Sequence, residues 1–167
     1  MDDICNLLFP TLEKEERLRL GALCFEYENK HLETRPGTLY PGVRETFERL
    51  SKKTRLYIVS NCQSGYIELF LEKTGLSDCI TDFECPGGTG LGKGPNIRLV
   101  MERNHLHAPV YVGDIEGDRT ASAEAGIPFC HAAYGFGSVE KADYVIQEFI
   151  PLSSPEFLSL SSLVYTN

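Results

Sequence analysis

Val110-Tyr111-Val112-Gly113-Asp114-Ile115-Glu116-Gly117-Asp118 is the stretch on which the fold of this chain turns. An apolar, β-prone run ends in a glycine, and two carboxylates four residues apart follow where a strand would meet a helix. Acids at one strand end repel each other unless a cation or protons compensate, and hard oxygen ligands of this kind suit Mg2+. On the local pattern alone a second reading stands beside the metal site: Asp114 caps the helix and Asp118 favours its N-terminal dipole.

Outward from this stretch the same alternation recurs. Upstream, Arg55 to Ser60 reads as a strand, the segment around Ile67, Phe70 and Leu71 as a helix, Ile80 to Cys85 as a strand and Asn96 to Asn104 as a helix. Downstream, Asp118 to Ala125 reads as a helix stopped by Gly126, and Phe129 to Ala132 and Tyr144 to Ile146 as later strands. Earlier still, Pro41 sits where a helix would begin, with Val43, Phe47 and Leu50 at helical spacing and an end near Ser51. Between Thr11 and His31 the positions Leu20, Leu23, Cys24, Tyr27 and His31 share one helical face, which predicts the buried side of a first helical segment.

Strands alternating with helices of this length predict an α/β fold: a Rossmann-like parallel sheet covered by helices on both faces. In such sheets ligands bind beyond the C-terminal strand ends. Two more strand ends therefore matter. Ser60-Asn61 offers a hydroxyl and an amide that can hydrogen-bond a phosphate oxygen, although both residue types also start turns and cap helices. Gly87-Gly88-Thr89-Gly90-Leu91-Gly92-Lys93-Gly94 combines backbone free to approach an anion with one fixed cation; the plainer reading is a surface loop with a solvated lysine.

Composition narrows the function classes. The 167 residues are 42% apolar, enough for one domain with a real core. A net charge of −8 repels a phosphodiester backbone, so nucleic acid is not an expected partner. Ile4 to Phe9 is too short for a signal peptide or membrane span, which leads to the expectation of a cytoplasmic protein with no membrane partner. The six cysteines, Cys5, Cys24, Cys62, Cys79, Cys85 and Cys130, include no C-x-x-C pair and read as reduced, structural side chains. Neither they nor His31, His105, His107 and His131 provide zinc-ligand spacing.

Taken in order, a strand ending in Ser60, Lys93 before a helix, and Gly113-Asp114 with Asp118 four residues on resemble the second, third and fourth motifs of the haloacid dehalogenase superfamily. Leu39-Tyr40-Pro41-Gly42-Val43 and Ala123-Glu124-Ala125-Gly126-Ile127-Pro128 look like its phosphoglycolate phosphatase branch, and the likeness runs from about Leu39 to Ile146. The resemblance implies a Mg2+-dependent phosphatase acting on a small phosphorylated metabolite. Ser60, assisted by Asn61, would bind the phosphoryl oxygen, and Lys93 would balance charge on nucleophile and phosphate. Asp114 would ligate Mg2+, with Asp118 as a further ligand or as its support. Such a site works by positioning and by stabilising charge on oxygen.

The superfamily's first motif, D-x-D-x-T or D-x-D-x-V after an apolar strand, carries the aspartate nucleophile and has no counterpart here. Asp2-Asp3 is adjacent rather than alternating, and Asp78 and Asp82 are misspaced. In the superfamily that strand lies between those leading to Ser60 and Asp114, so its loss predicts two unpaired inner edges and a tendency to self-associate. Leu160 to Tyr165, in a tail (151–167) expected to be helical or packed on the core, is apolar enough to fill the gap. The expected organisation is a remnant of a helical cap over 1–34, the α/β core over 35–150, and the tail. The expected status is an N-terminally shortened chain, inactive alone, whose intact parent is the enzyme. Two alternatives compete: an NTPase, because Gly87 to Lys93 nearly spells a P-loop, against which Gly94 and Pro95 stand where a hydroxyl and a helical amide are needed; and an inactive phosphoryl- or partner-binding relic.

Overall fold

The computed structural model describes residues 2–149 and 162–165, and it divides into two compact units, 1–37 and 38–167. In the first unit, α1 (Asp2–Leu8) packs on α2 (Lys14–Thr34). The helices approach closely because α2 presents Gly21: a Cβ there would lie 2.6 Å from the Cys5 sulfur. This places the seam of α2 along Gly21 rather than along the face expected from sequence. Leu23, Cys24, Tyr27 and His31 are exposed, and Tyr27 stacks on His31 at 6.4 Å. The apolar periodicity was real, but the contact went to the smallest residue, where two backbones can come nearest.

The second unit carries the sheet. Its helices are α3 (Val43–Leu50), α4 (Tyr66–Thr74), the short α5 (Pro86–Thr89), α6 (Lys93–Arg103) and α7 (Glu116–Ala125). Its strands are β1 (Arg55–Val59), β2 (Asp82–Glu84), β3 (Pro109–Gly113), β4 (Phe129–Ala132), β5 (Tyr144–Ile146) and β6 (Ser162–Tyr165). All neighbours are parallel, in the order β2-β1-β6-β3-β4-β5. Alternation along the strands builds two cores. Leu56, Ile58, Val110 and Val112 face Phe47, Leu50, Ile67 and Leu71 of α3 and α4; Tyr57, Val59, Tyr111 and Val164 face Ile97, Val100 and Ala121 of α6 and α7. The fold is thus the doubly covered parallel sheet expected from sequence.

One expectation fails. The edges of β1 and β3 are not left open, because the last strand of the chain inserts between them. Leu56 and Val110 both align with Leu163, and Ile58 and Val112 both align with Tyr165. The gap closes because buried strand edges must find partners, and an apolar segment on the same chain is the nearest source. The basis for self-association through unpaired edges is thereby removed. Of the tail, residues 151–161, 166 and 167 lie outside the described residues; the described part is strand, not helix.

A further bond crosses the insertion: the buried Tyr111 hydroxyl on β3 donates to the Val59 carbonyl on β1 at 2.8 Å, with β6 between the two strands. Since β6 supplies the strand ladder between the two halves of the sheet, its amides should exchange only on global opening, at rates matching those of β1 and β3 in native-state hydrogen exchange. Val164 is fully buried, so Val164→Asp should lower the urea midpoint by an amount worth about 3 kcal/mol or more. Rapid exchange throughout 162–165 would contradict this account.

Candidate active site

The strand ends that matter are those of β1 and β3, each flanking β6. Lying two strand positions apart, they are separated by about 9–10 Å. From β1 the chain runs straight into Ser60, which is buried, while Asn61 just beyond is exposed. The Ser60 amide continues the ladder to Glu84 at 3.3 Å, which fixes the residue in strand geometry. Gly87 then lets the segment after β2 close against the turn after β1. Its amide donates to the Cys62 carbonyl at 3.2 Å, and a Cβ there would sit 2.1 Å from the Ser64 nitrogen.

The glycine run is not a loose loop: Gly87 and Gly88 lie inside α5, and Gly87, Gly88 and Gly94 each sit against a neighbouring group, while Gly90 takes the left-handed conformation that ends α5. Lys93 opens α6, directly after Gly92 in extended conformation. A Cβ on Gly94 would lie within 2.6 Å of the Glu124 carboxyl carbon, so a carboxylate borders the helix start where a P-loop would hold phosphate. This geometry disfavours the nucleotide-binding alternative.

Lys93 reaches across to α7 and pairs with Asp118, Nζ to Oδ1 at 2.5 Å, with the side chains only 8% and 1% exposed. The other Asp118 oxygen, Oδ2, accepts the amides of Asp114 (3.1 Å) and Ile115 (3.3 Å). Asp118 thus ties the first turn of α7 back onto its own N-terminus, a use of an acid at the third helical position that also suits the helix dipole. Both its oxygens accept protein donors, so Asp118 holds Lys93 and the Asp114 turn together. Gly113 makes room for this: a Cβ there would sit 2.6 Å from Asp118 Oδ2.

Asp114 stands differently. It is half-buried, and its Oδ2 accepts the Phe136 amide at 2.8 Å. Oδ1 has no hydrogen-bond donor among the described residues. Gly135 lies against the carboxylate, with 2.3 Å between its would-be Cβ and the Asp114 Cβ. Sequence reasoning missed this loop. The signal was Tyr134-Gly135-Phe136-Gly137 directly after β4, glycines flanking an aromatic at one more strand end. Tyr134 stands behind the acid, and burial, with Cys130 and Asp114 adding negative charge nearby, holds its hydroxyl well above the usual tyrosine range.

The arrangement sets one uncommitted carboxylate oxygen just past β3 and a buried ammonium, from the first residue of α6, on the Asp118 of α7, with a buried hydroxyl at the end of β1 two strand positions from β3. One carboxylate is a modest protein contribution, and no group of three metal-binding side chains occurs among the described residues. It suits Mg2+, which keeps several waters and takes further oxygens from a bound phosphate.

The haloacid dehalogenase-like hydrolase family profile matches residues 1–132. This chain belongs to that family. Solved structures share the fold. A candidate phosphatase from Clostridium difficile is 17% identical over 88% of this chain and 73% of that one, with a TM-score of 0.75. A haloacid dehalogenase-like hydrolase from Streptococcus pneumoniae is 16% identical over 86% and 71%, at 0.73. A subfamily IA hydrolase from Geobacter sulfurreducens is 20% identical over 88% and 68%, at 0.66. No curated protein sequence matches the chain significantly. Among the described residues no helix is long and apolar enough to cross a membrane.

Two substitutions separate positioning from chemistry in this member of the family. Lys93→Met leaves Asp118 buried with only its amide partners and should cost about 3–5 kcal/mol in chemical denaturation. Gly113→Ala drives a methyl group into Asp118 and should cost about 1–3 kcal/mol without altering any charged group. Near-wild-type stability for Lys93→Met would show that the pair is not buried in solution.

Proposed function

We propose that this chain carries the substrate- and metal-holding half of a Mg2+-dependent phosphomonoesterase site acting on a small phosphorylated metabolite, of the phosphoglycolate phosphatase-like kind. The observation that carries this reading is the buried Lys93–Asp118 pair, whose Asp118 also binds the amide of Asp114, while one Asp114 carboxylate oxygen has no donor among the described residues.

In this reading Ser60 donates its hydroxyl to a phosphoryl oxygen, and Asn61 adds an amide from the exposed side. Lys93, held by Asp118, offsets phosphate charge without needing to reorient, which is the economical form of electrostatic stabilisation. Asp114 would hold Mg2+, and the bound ion would neutralise charge on the phosphoryl oxygens. The Phe136 amide fixes the Asp114 carboxylate while the other oxygen faces the ion.

Hydrolysis in this family's manner needs an aspartate nucleophile at the end of the central strand. Here that strand is Ser162-Leu163-Val164-Tyr165, and it brings no carboxylate. In this reading the described residues supply phosphoryl and metal binding and no nucleophile at that strand end. By itself the chain binds and does not turn over. The position of β6 equally supports an inactive phosphoryl-binding protein, since it gives this sequence a closed sheet of its own.

Inorganic phosphate with Mg2+ should raise the melting temperature by about 2–4 °C for each kcal/mol of binding linkage. Asp114→Asn should lose the Mg2+-dependent part alone, and p-nitrophenyl phosphate should not be hydrolysed. Turnover that disappears in Asp114→Ala would refute the inactivity; absence of any phosphate effect would refute the site.

A further inference from the structure

Cys62 and Cys85 stand on segments tied together by two backbone bonds. The Ser60 amide donates to Glu84 just before Cys85, and the Gly87 amide donates to Cys62 itself. Val59 aligns with Glu84, so the next residues, Ser60 and Cys85, leave neighbouring strand ends side by side. The Gly87 amide, two residues past Cys85, bonds the Cys62 carbonyl, so both cysteines lie in the same closed pair of turns, and a disulfide needs Cα separations of roughly 4.4–6.8 Å. Cys85 is buried in the core beneath α3 and α4, and the half-buried Cys62 packs against that same cluster. Cys62 and Cys85 thus belong to one apolar cluster on segments joined by backbone bonds, and Ser60, two residues before Cys62 and beside Cys85 across the strand ends, sets the proposed phosphate-binding hydroxyl next to this pair of free thiols.

We propose that Cys62 and Cys85 form a redox-responsive dithiol, whose closure to a disulfide pulls on the turn that begins at Ser60 and loosens the hold of that hydroxyl on phosphate. The regulatory half rests on the site reading above; the dithiol itself does not. With oxidised glutathione as the oxidant, Cys62 is the thiol that solvent reaches. It loses its proton to water and attacks one glutathione sulfur, expelling a glutathione thiolate. Cys85 then loses its proton and attacks the Cys62 sulfur, forming the Cys62–Cys85 bond and expelling the second glutathione. Two protein thiols are oxidised and one glutathione disulfide is reduced to two thiols.

Burial, with Cys85 nearby, pushes the Cys62 thiol up to about 12. The thiol form therefore dominates at neutral pH, so closure is slow there and quickens as pH rises. The device answers sustained oxidising conditions rather than brief ones. Cys24, exposed on α2, supplies an internal comparison as a thiol that can take glutathione without this neighbouring partner.

The test incubates the full chain with oxidised glutathione from pH 7 to pH 9, maps disulfides by peptide mass spectrometry and follows inorganic phosphate binding with Mg2+ by calorimetry. The expected result is a Cys62–Cys85 crosslink and a glutathione adduct on Cys24. Phosphate affinity should weaken by about threefold to tenfold and return on reduction. In Cys85→Ser, folded by circular dichroism, Cys62 should retain its glutathione adduct. Glutathione remaining on Cys62 of the unaltered chain, or Cys62 left untouched while Cys24 reacts, overturns the dithiol. A mapped crosslink with unchanged phosphate affinity overturns the regulation. If the reduced chain binds no phosphate, the site reading and the regulation fall together, and the mapping still decides the dithiol.

Discussion

Everything in the second unit depends on a strand lying between β1 and β3. Each of these strands presents a row of amides and carbonyls at the middle of a sheet covered by helices on both faces, where water cannot satisfy them. β6 meets both rows over the same four residues, and Val164 joins the core beneath α6 and α7. Without it the chain would be two half-sheets, β2-β1 and β3-β4-β5, and the ends carrying Ser60 and Asp114 would have no fixed separation. The Tyr111–Val59 bond reinforces the same junction, using a buried hydroxyl to satisfy a strand-end carbonyl.

That arrangement explains how a site for charge can persist in a chain that supplies no nucleophile at its centre. Its support is local and redundant. Asp118 holds Lys93 with one oxygen and the Asp114 turn with the other, while Gly113 and Gly135 remove the side chains that would keep these groups apart. A buried ion pair of this kind is weak evidence for added stability, since desolvation offsets much of its attraction. On the proposed reading its value lies in orientation: an ammonium already buried and held by Asp118 would need no reorganisation to meet an anion.

The glycines after β2 show how one residue type can mislead. In sequence, Gly87 to Gly94 reads as backbone available to phosphate. In the folded chain Gly87 admits the turn after β1, Gly88 abuts Glu84, and Gly94 abuts Glu124. Each is small because something else occupies the space. The same turn brings Cys62 and Cys85 together, which no spacing rule along the chain could indicate, since they come from different strands.

The sequence by itself determined the sheet and named residues that the fold places beyond its strand ends. Alternating apolar runs can be satisfied only by strands buried on both faces, and the order serine, lysine, aspartate fell at strand ends because helices begin there. It also marked Leu160 to Tyr165 as able to take a central place, because that segment was apolar where a tail would be polar. Only the tertiary structure decided the rest. It chose Gly21 over the apolar stripe as the seam of α2, because backbone proximity outweighed side-chain area. It gave both oxygens of Asp118 to protein donors and left one Asp114 oxygen unclaimed, a division set by the Lys93 ammonium and the Phe136 amide arriving from distant parts of the chain. Periodicity reports which face is apolar; which partner reaches that face, and which lone pair a donor claims, depends on contacts between residues far apart in sequence.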